Sequence, residues 1–341
     1  MFLSIIIPAY NCSATIRRVL NSILLQELDK DDYEVIVIDD NSTDGFQNIL
    51  EDYKILMNIE YHLRNNDEYT VHCPGNTRRE GLKYAKGDWI TFIDNDDLFE
   101  FNAFKRVKQD LINLNNPNIK LYYTKFQKWD EDNKQCLNDN LWHPTWLHGN
   151  FFNRQFLIDN NINFKIDLVG NEDLYFENLV FSHLSGQGLL YYYVDDQNMY
   201  RWIENPNSFT HVVNNYLVKY YDDYLIANTE PYFICYKKYP EQRGYFLKQI
   251  IVAILYIYFY YQSFIYINKQ LYIREEKIKE LLNKVLQVFD FSSIEELINS
   301  LYKDSNLYVE LRTNVVRDSN NGLTFIEEES LKEFITRIYN E

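Results

Sequence analysis

Leu3-Ser4-Ile5-Ile6-Ile7-Pro8-Ala9-Tyr10-Asn11 and, further on, Val35-Ile36-Val37-Ile38-Asp39-Asp40-Asn41-Ser42-Thr43-Asp44-Gly45 decide the fold. Each opens as a short run of aliphatic residues and closes abruptly in polar turn chemistry. A run of that kind, with no polar alternation, predicts a strand buried on both faces, as in a parallel sheet. Between the two runs Ile16, Val19, Leu20, Ile23 and Leu24 fall at i, i+3, i+4, i+7 and i+8, one apolar stripe of a helix that Ser13 can cap. Together they make a β-α-β unit.

The alternation continues outward. A third strand is expected at 59–62, a helix at 76–86 closed by Gly87, and a fourth strand at 88–93 that runs into Asp94-Asn95-Asp96-Asp97. A helix at 99–115 and a strand at 119–126 follow, then a polar stretch at 129–140 that reads as a surface loop or hairpin. Residues 171–185 read as a helix, and 189–194 and 197–202 as two tyrosine-rich strands. The pattern predicts a doubly wound, mostly parallel α/β sheet. From about 215 the periodicity turns helical with few turn signals, so the chain divides into domains 1–214 and 215–341. Ile250 to Ile267 reaches the lower length for a membrane span, but it holds five tyrosines and carries cations at both ends, so it reads as a buried helix.

Composition narrows the classes. The 341 residues hold 34 basic and 50 acidic side chains, a formal charge of −16, which disfavours a nucleic-acid partner. Cys12, Cys73, Cys136 and Cys235 show neither zinc spacing nor a disulfide framework, and the N-terminus lacks the basic region of a signal peptide. Both features suit a cytoplasmic protein.

In an open α/β sheet, ligands bind beyond the carboxyl ends of the strands. Here three strands deliver polar clusters to those ends: Pro8-Ala9-Tyr10-Asn11, Asp39-Asp40-Asn41 and Asp94-Asn95-Asp96-Asp97. Any one could be a turn or a helix cap; three together make a site. Carboxylates two apart at a strand end can converge on a hard cation, Mg²⁺ or Mn²⁺, that also holds a diphosphate. No glycine-rich dinucleotide fingerprint and no P-loop occurs, so phosphate charge must be met by the metal and by cations such as Arg78 and Arg79.

Ile7-Pro8-Ala9-Tyr10-Asn11, Ile38-Asp39-Asp40-Asn41-Ser42-Thr43-Asp44 and Phe92-Ile93-Asp94-Asn95-Asp96-Asp97, in that order, resemble the signature of the family-2 glycosyltransferases, inverting metal-dependent enzymes of the GT-A fold. Asn76-Thr77-Arg78-Arg79-Glu80-Gly81-Leu82 is similar to the family's helix ahead of the metal motif, with Arg79 and Glu80 departing from its usual residues. Gly170-Asn171-Glu172-Asp173-Leu174 is similar to its Glu-Asp motif. The resemblance covers about residues 1–211 and stops short of the C-terminal third.

What it implies is specific. Pro8, Tyr10, Asn11, Asp40, Arg78, Asp94 and Asn95 would bind the donor, with Tyr10 against the nucleobase, Asp40 on its imide edge and Asp39 structural. Asp96 would be the principal metal ligand for Mn²⁺ or Mg²⁺, with Asp97 in support. Tyr200-Arg201-Trp202, Ser208 and His211 would form a mobile loop whose His211 adds an imidazole to the metal. Asp173 would be the general base and Glu172 its neighbour on the donor sugar or acceptor. Trp142, Trp146 and His148 fall where the acceptor would lie.

The implied reaction is transfer from a nucleotide-sugar, most simply a UDP-sugar, to a hydroxyl of a glycan, a teichoic-acid-like polymer or a lipid-linked acceptor. A sugar nucleotidyltransferase and a catalytically silent nucleotide- or glycan-binding module are the competing readings. The C-terminal helical domain would serve oligomerisation or acceptor binding, and peripheral contact with the inner face of the membrane stays open.

Overall fold

The computed structural model describes residues 1–65, 71–141, 146–205, 221–265, 275–302 and 330–340. The chain divides into two compact units, Met1–Asn214 and Asn215–Glu341.

The first unit is built on a nine-stranded sheet. Strands β1 (Leu3–Ala9) and β2 (Tyr33–Asp39) are buried at every position, which is why their sequences are unbroken aliphatic runs. They pair in parallel, with Ala9 opposite Asp39, so both polar clusters emerge at one edge. Helix α1 (Ile16–Leu24) joins them and buries Ile16, Val19, Leu20 and Ile23 in the core. Helix α2 (Gln47–Glu51) leads to β3 (Ile59–Leu63), parallel to β2 on its far side. Helix α3 (Pro74–Leu82) then returns the chain to β4 (Trp89–Phe92), which pairs in parallel with the other edge of β1. Strand order therefore reverses between β1 and β4, the switch point at which such sheets open a crevice.

Beyond β4 the sheet changes character. Its full order is β3-β2-β1-β4-β8-β6-β9-β5, with β7 hung on β6. Here β5 is Leu98–Phe99, β6 Ile119–Asp130, β7 Gln135–Leu141, β8 Phe151–Asn153 and β9 Leu190–Ile203. Strand β8 runs antiparallel to both β4 and β6, whereas β9 runs parallel to β6. Helices α4 (Ala103–Leu114), α5 (Arg154–Asp159) and α6 (Glu172–Gln187) complete the unit.

Several local expectations are corrected. Ser13 does not cap α1; its amide donates instead to Asp44 Oδ2 across the strand ends. Helix α3 starts at Pro74 and ends at Leu82, before Gly87. Gly87 is required by close packing, since a Cβ there would lie 2.5 Å from the Ser4 amide nitrogen. Leu98 and Phe99 pair with β9 rather than opening a helix. The polar stretch at 129–140, by contrast, is a hairpin as expected, its strands β6 and β7 paired antiparallel. The two tyrosine-rich strands are one strand whose register shifts between Val194 and Asn198, so Asp195-Asp196-Gln197 is a bulge and no turn.

The described helices of the second unit are α7 (Tyr221–Lys238), α8 (Arg243–Ile265), α9 (Glu275–Val288), α10 (Ile294–Tyr302) and α11 (Leu331–Asn340). Ile250, Ile254, Leu255, Ile257, Tyr258 and Phe259 of α8 are buried in a core shared with α9, α10 and α11. That burial accounts for the apolar run. Among the described residues, no helix is long and apolar enough to cross a membrane.

Candidate functional site

The loops after β1 and β2 are bonded to each other. Asn11, at φ +46°, donates its amide to Ser42 Oγ and accepts the Thr43 amide on Oδ1. Asp39 is occupied by the Ser42 amide and the Tyr61 hydroxyl, which leaves it a scaffolding part. Asp40, buried at the edge of the crevice, accepts from Arg64 Nε and lies 2.9 Å from His72 Nδ1. Tyr10 is 57% exposed, and its ring centroid sits 6.4 Å from that of His72. A free aromatic face beside a buried carboxylate is what a flat heterocycle with polar edges would meet. Arg64 and His72 gave no sequence signal, because each joins Asp40 only through the fold.

Arg78 is the hinge of the site. It is 6% exposed, and its guanidinium donates to Asp94 Oδ1 at 2.5 Å and to Glu172 Oε1 at 2.8 Å. The acidic turn after β4 and the first residue of α6, far apart in sequence, are thereby held on one fork of donors. Gly75 permits the approach: a Cβ there would come within 2.8 Å of the Glu172 Cβ. Asn76 fixes the preceding loop, giving its amide to Asp167 Oδ1 and taking the Asp167 backbone N–H. Arg79 donates to the Phe164 carbonyl, so the unusual second arginine braces the same loop.

The acids differ in proton affinity. Burial raises the Asp94 carboxyl, but Arg78 and His148 outweigh it and hold the group below its ordinary value. Burial raises Asp96 despite the amide of Asn205 bonded to its Oδ2. Asp97 is pushed well above the ordinary range by burial and by Asp96 and Asp94; it accepts from the Tyr200 hydroxyl at 2.6 Å and the Ile203 amide. Glu172 is raised by burial against the pull of Arg78. Burial and then the neighbouring Glu172 carry Asp173 up to about 7, where a carboxylate can both take and release a proton near neutrality.

The acidic turn fits a hard divalent cation. Carboxylates crowded in one turn raise each other, and an ion of opposite charge relieves that repulsion. Asp94, Asp97 and His148 offer ligand atoms within 4.8 Å of one another. His148 is stacked between Tyr200, at 5.1 Å between centroids, and Trp202, at 5.7 Å, and its Nε2 lies 4.0 Å from Asp97 Oδ2. Oxygen donors with one imidazole suit Mg²⁺ or Mn²⁺. His148 thus offers an imidazole among the described residues; His211, from which one was expected, and Ser208, like Trp142, lie outside the described residues. Trp146 packs on the same aromatic group, 5.7 Å from His148 and 5.5 Å from Trp202. Asn95 donates to the Pro8 carbonyl and joins the ends of β1 and β4.

A parallel 3-2-1-4 half-sheet extended by β8, β6, β9 and β5, with acids beyond its fourth strand, is the GT-A fold expected from the sequence. The fold matches the crystal structure of S. aureus TarS 1–349 in complex with UDP-GlcNAc with a TM-score of 0.62 at 17% identity, over 97% of this chain and 98% of that one. Residues 4–168 match the model of glycosyl transferase family 2. It is 40% identical over 108 residues, 31% of its length, to a poly(ribitol-phosphate) beta-glucosyltransferase of Bacillus spizizenii. It is 34% identical over 117 residues, 34% of its length, to the poly(ribitol-phosphate) beta-N-acetylglucosaminyltransferase TarP of Staphylococcus aureus. The chain covers 16% and 33% of those two proteins.

Proposed function

We propose that the chain is an inverting glycosyltransferase that moves a sugar from a UDP-sugar to a hydroxyl of a polyol-phosphate polymer of the teichoic-acid kind. The observation that carries it is the Arg78 fork, which gathers the acidic turn and the Glu172-Asp173 pair into one site. The family-2 match over residues 4–168 and the relatives' printed names support sugar transfer to a poly(ribitol-phosphate)-like acceptor, and the UDP-GlcNAc complex of the TarS neighbour supports the donor class.

In this reading Tyr10 and Asp40, with Pro8 and Asn11 shaping the loop, receive the nucleobase; Asp94 and Asn95 lie toward the donor's sugar. Arg78 acts by holding Asp94 and Glu172 rather than by reaching the nucleotide. Asp94, Asp96, Asp97 and His148 hold Mn²⁺ or Mg²⁺, which when bound neutralises charge on the leaving diphosphate. Asp173 takes the acceptor's hydroxyl proton, the freed oxygen forms a bond to the anomeric carbon, and the bond from that carbon to the diphosphate breaks on the opposite face. Glu172 keeps Asp173 basic enough for the task. Trp146 and Trp202 offer flat faces to the acceptor. The helical unit holds polymer or associates with a second copy, and the cytoplasm is the compartment that supplies UDP-sugars.

The test is Mn²⁺-dependent binding and turnover of a panel of UDP-, GDP- and dTDP-sugars, with and without poly(ribitol phosphate). The expected result is turnover of one UDP-sugar, abolished by chelation or by Asp96→Ala. Absence of nucleotide-sugar binding, with or without metal, returns the chain to a silent module.

A further inference from the structure

Glu177 stands one turn beyond Asp173 on α6 and is fully buried, in a place where a core would ordinarily take Leu or Ile. Its Oε1 accepts a 3.0 Å hydrogen bond from Asn150 Nδ2, while its Oε2 is buried without a partner. Burial, outweighing the Asn150 bond, pushes the carboxyl well above its ordinary range, so Gln is its closest isostere. Asn150 closes the segment that carries Trp146 and His148. Its Nδ2 also donates to the Trp146 carbonyl, and its own carbonyl accepts from Thr91 Oγ1. Thr124 Oγ1 bonds the Gly149 carbonyl, and Gly149 holds φ +74° where a Cβ would strike that same hydroxyl. The segment is therefore anchored to the sheet by two threonines and to α6 by one buried acid.

We propose that Glu177 is a positioning residue: through Asn150 it clamps the Trp146–Asn150 segment to the helix bearing Asp173, and so sets the separation between the base and the His148 side of the acidic turn. Its catalytic meaning rests on Asp173 being the base; the clamp itself does not. A merely structural acid would behave differently: its loss would cost stability by leaving Asn150 Nδ2 one buried partner short, but would leave kcat unchanged.

The full chain is compared with Glu177→Gln and Glu177→Leu by thermal unfolding, by hydrogen exchange of the amides at 146–150, and by transfer kinetics. Glu177→Leu is expected to fold with a modestly lowered Tm, to exchange those amides about tenfold faster, and to lose about 10- to 100-fold in kcat at nearly constant donor KM, while remaining fully folded at the assay temperature. Glu177→Gln should restore native exchange and recover kcat to within about threefold. Native exchange in Glu177→Leu overturns the clamp, and so does Glu177→Gln exchanging as fast as Glu177→Leu. Faster exchange with unchanged kcat overturns the positioning role. If the natural chain transfers no sugar, the base assignment falls, while exchange still decides the clamp.

Discussion

Asp173 is poised by two neighbours that act in the same direction, burial and the Glu172 carboxylate. Replacement by Asn keeps the bond from the Leu174 amide to Oδ1 and removes the proposed proton acceptor. Transfer should fall by about 10²- to 10⁴-fold, with donor binding held within about threefold by calorimetry. In the natural chain kcat/KM should climb as pH passes through about 7, because only the ionised carboxyl accepts the proton. The same shift bears on stability. A carboxyl whose folded pKa lies above its unfolded 3.8 binds its proton more tightly when folded, so the fold loses stability as pH rises from about 4 to about 7. Asp173→Asn should therefore unfold at a higher temperature than the natural chain at pH 8, by roughly 2 kcal/mol of stability, and at nearly the same temperature at pH 4. Equal gains at both pH values would refute burial as the source of its basicity.

Helix α3 and the start of α6 approach through a single glycine. Gly75→Ala places a Cβ 2.8 Å from that of Glu172, so the helices must part or Glu172 must leave Arg78. We expect a loss of about 1–3 kcal/mol in unfolding and a drop of about 10²-fold in kcat. Gly188→Ala is the control: at φ +63° it strains the end of α6 but meets nothing within 4 Å, so stability should fall while transfer holds. Elements of this kind were unequally legible in the sequence. β1, α1 and β2 declare themselves because burial on every side demands unbroken aliphatic runs and one helical stripe. β8 does not, since three residues, Phe151–Asn153, are too few to show a period. Asp195-Asp196-Gln197 has turn composition yet bulges within a strand, its local preference overridden by pairing with β6. For the site, residue types and order identify the acids, but not what they touch. The Arg78–Glu172 bond spans 94 positions, and His148 reaches Asp97 only through the aromatic stack on Tyr200 and Trp202.

At the scale of the whole molecule the governing quantity is charge, and it opposes the proposed acceptor. The chain carries −16, and a polyol-phosphate polymer carries a negative charge at every repeat. Cations near the crevice are already paired: Arg78 with Asp94 and Glu172, Arg64 with Asp40, Lys128 with Glu204, Arg201 with Glu100. Arg18 is bonded to the Asp96 carbonyl. Each of these pairs contributes no net positive field at longer range, so polymer and enzyme should approach against repulsion that salt screens over about 8–10 Å. The expected signature is opposite to that of a protein binding nucleic acid. With donor and Mn²⁺ saturating, KM for poly(ribitol phosphate) should fall about two- to tenfold as NaCl rises from about 20 to about 150 mM, while KM for a short uncharged polyol acceptor stays level. A polymer KM that rises with salt would instead require a basic track on the enzyme strong enough to overcome its net charge, and the acceptor would then be recognised through its phosphates rather than through its hydroxyls and the aromatic faces of Trp146 and Trp202.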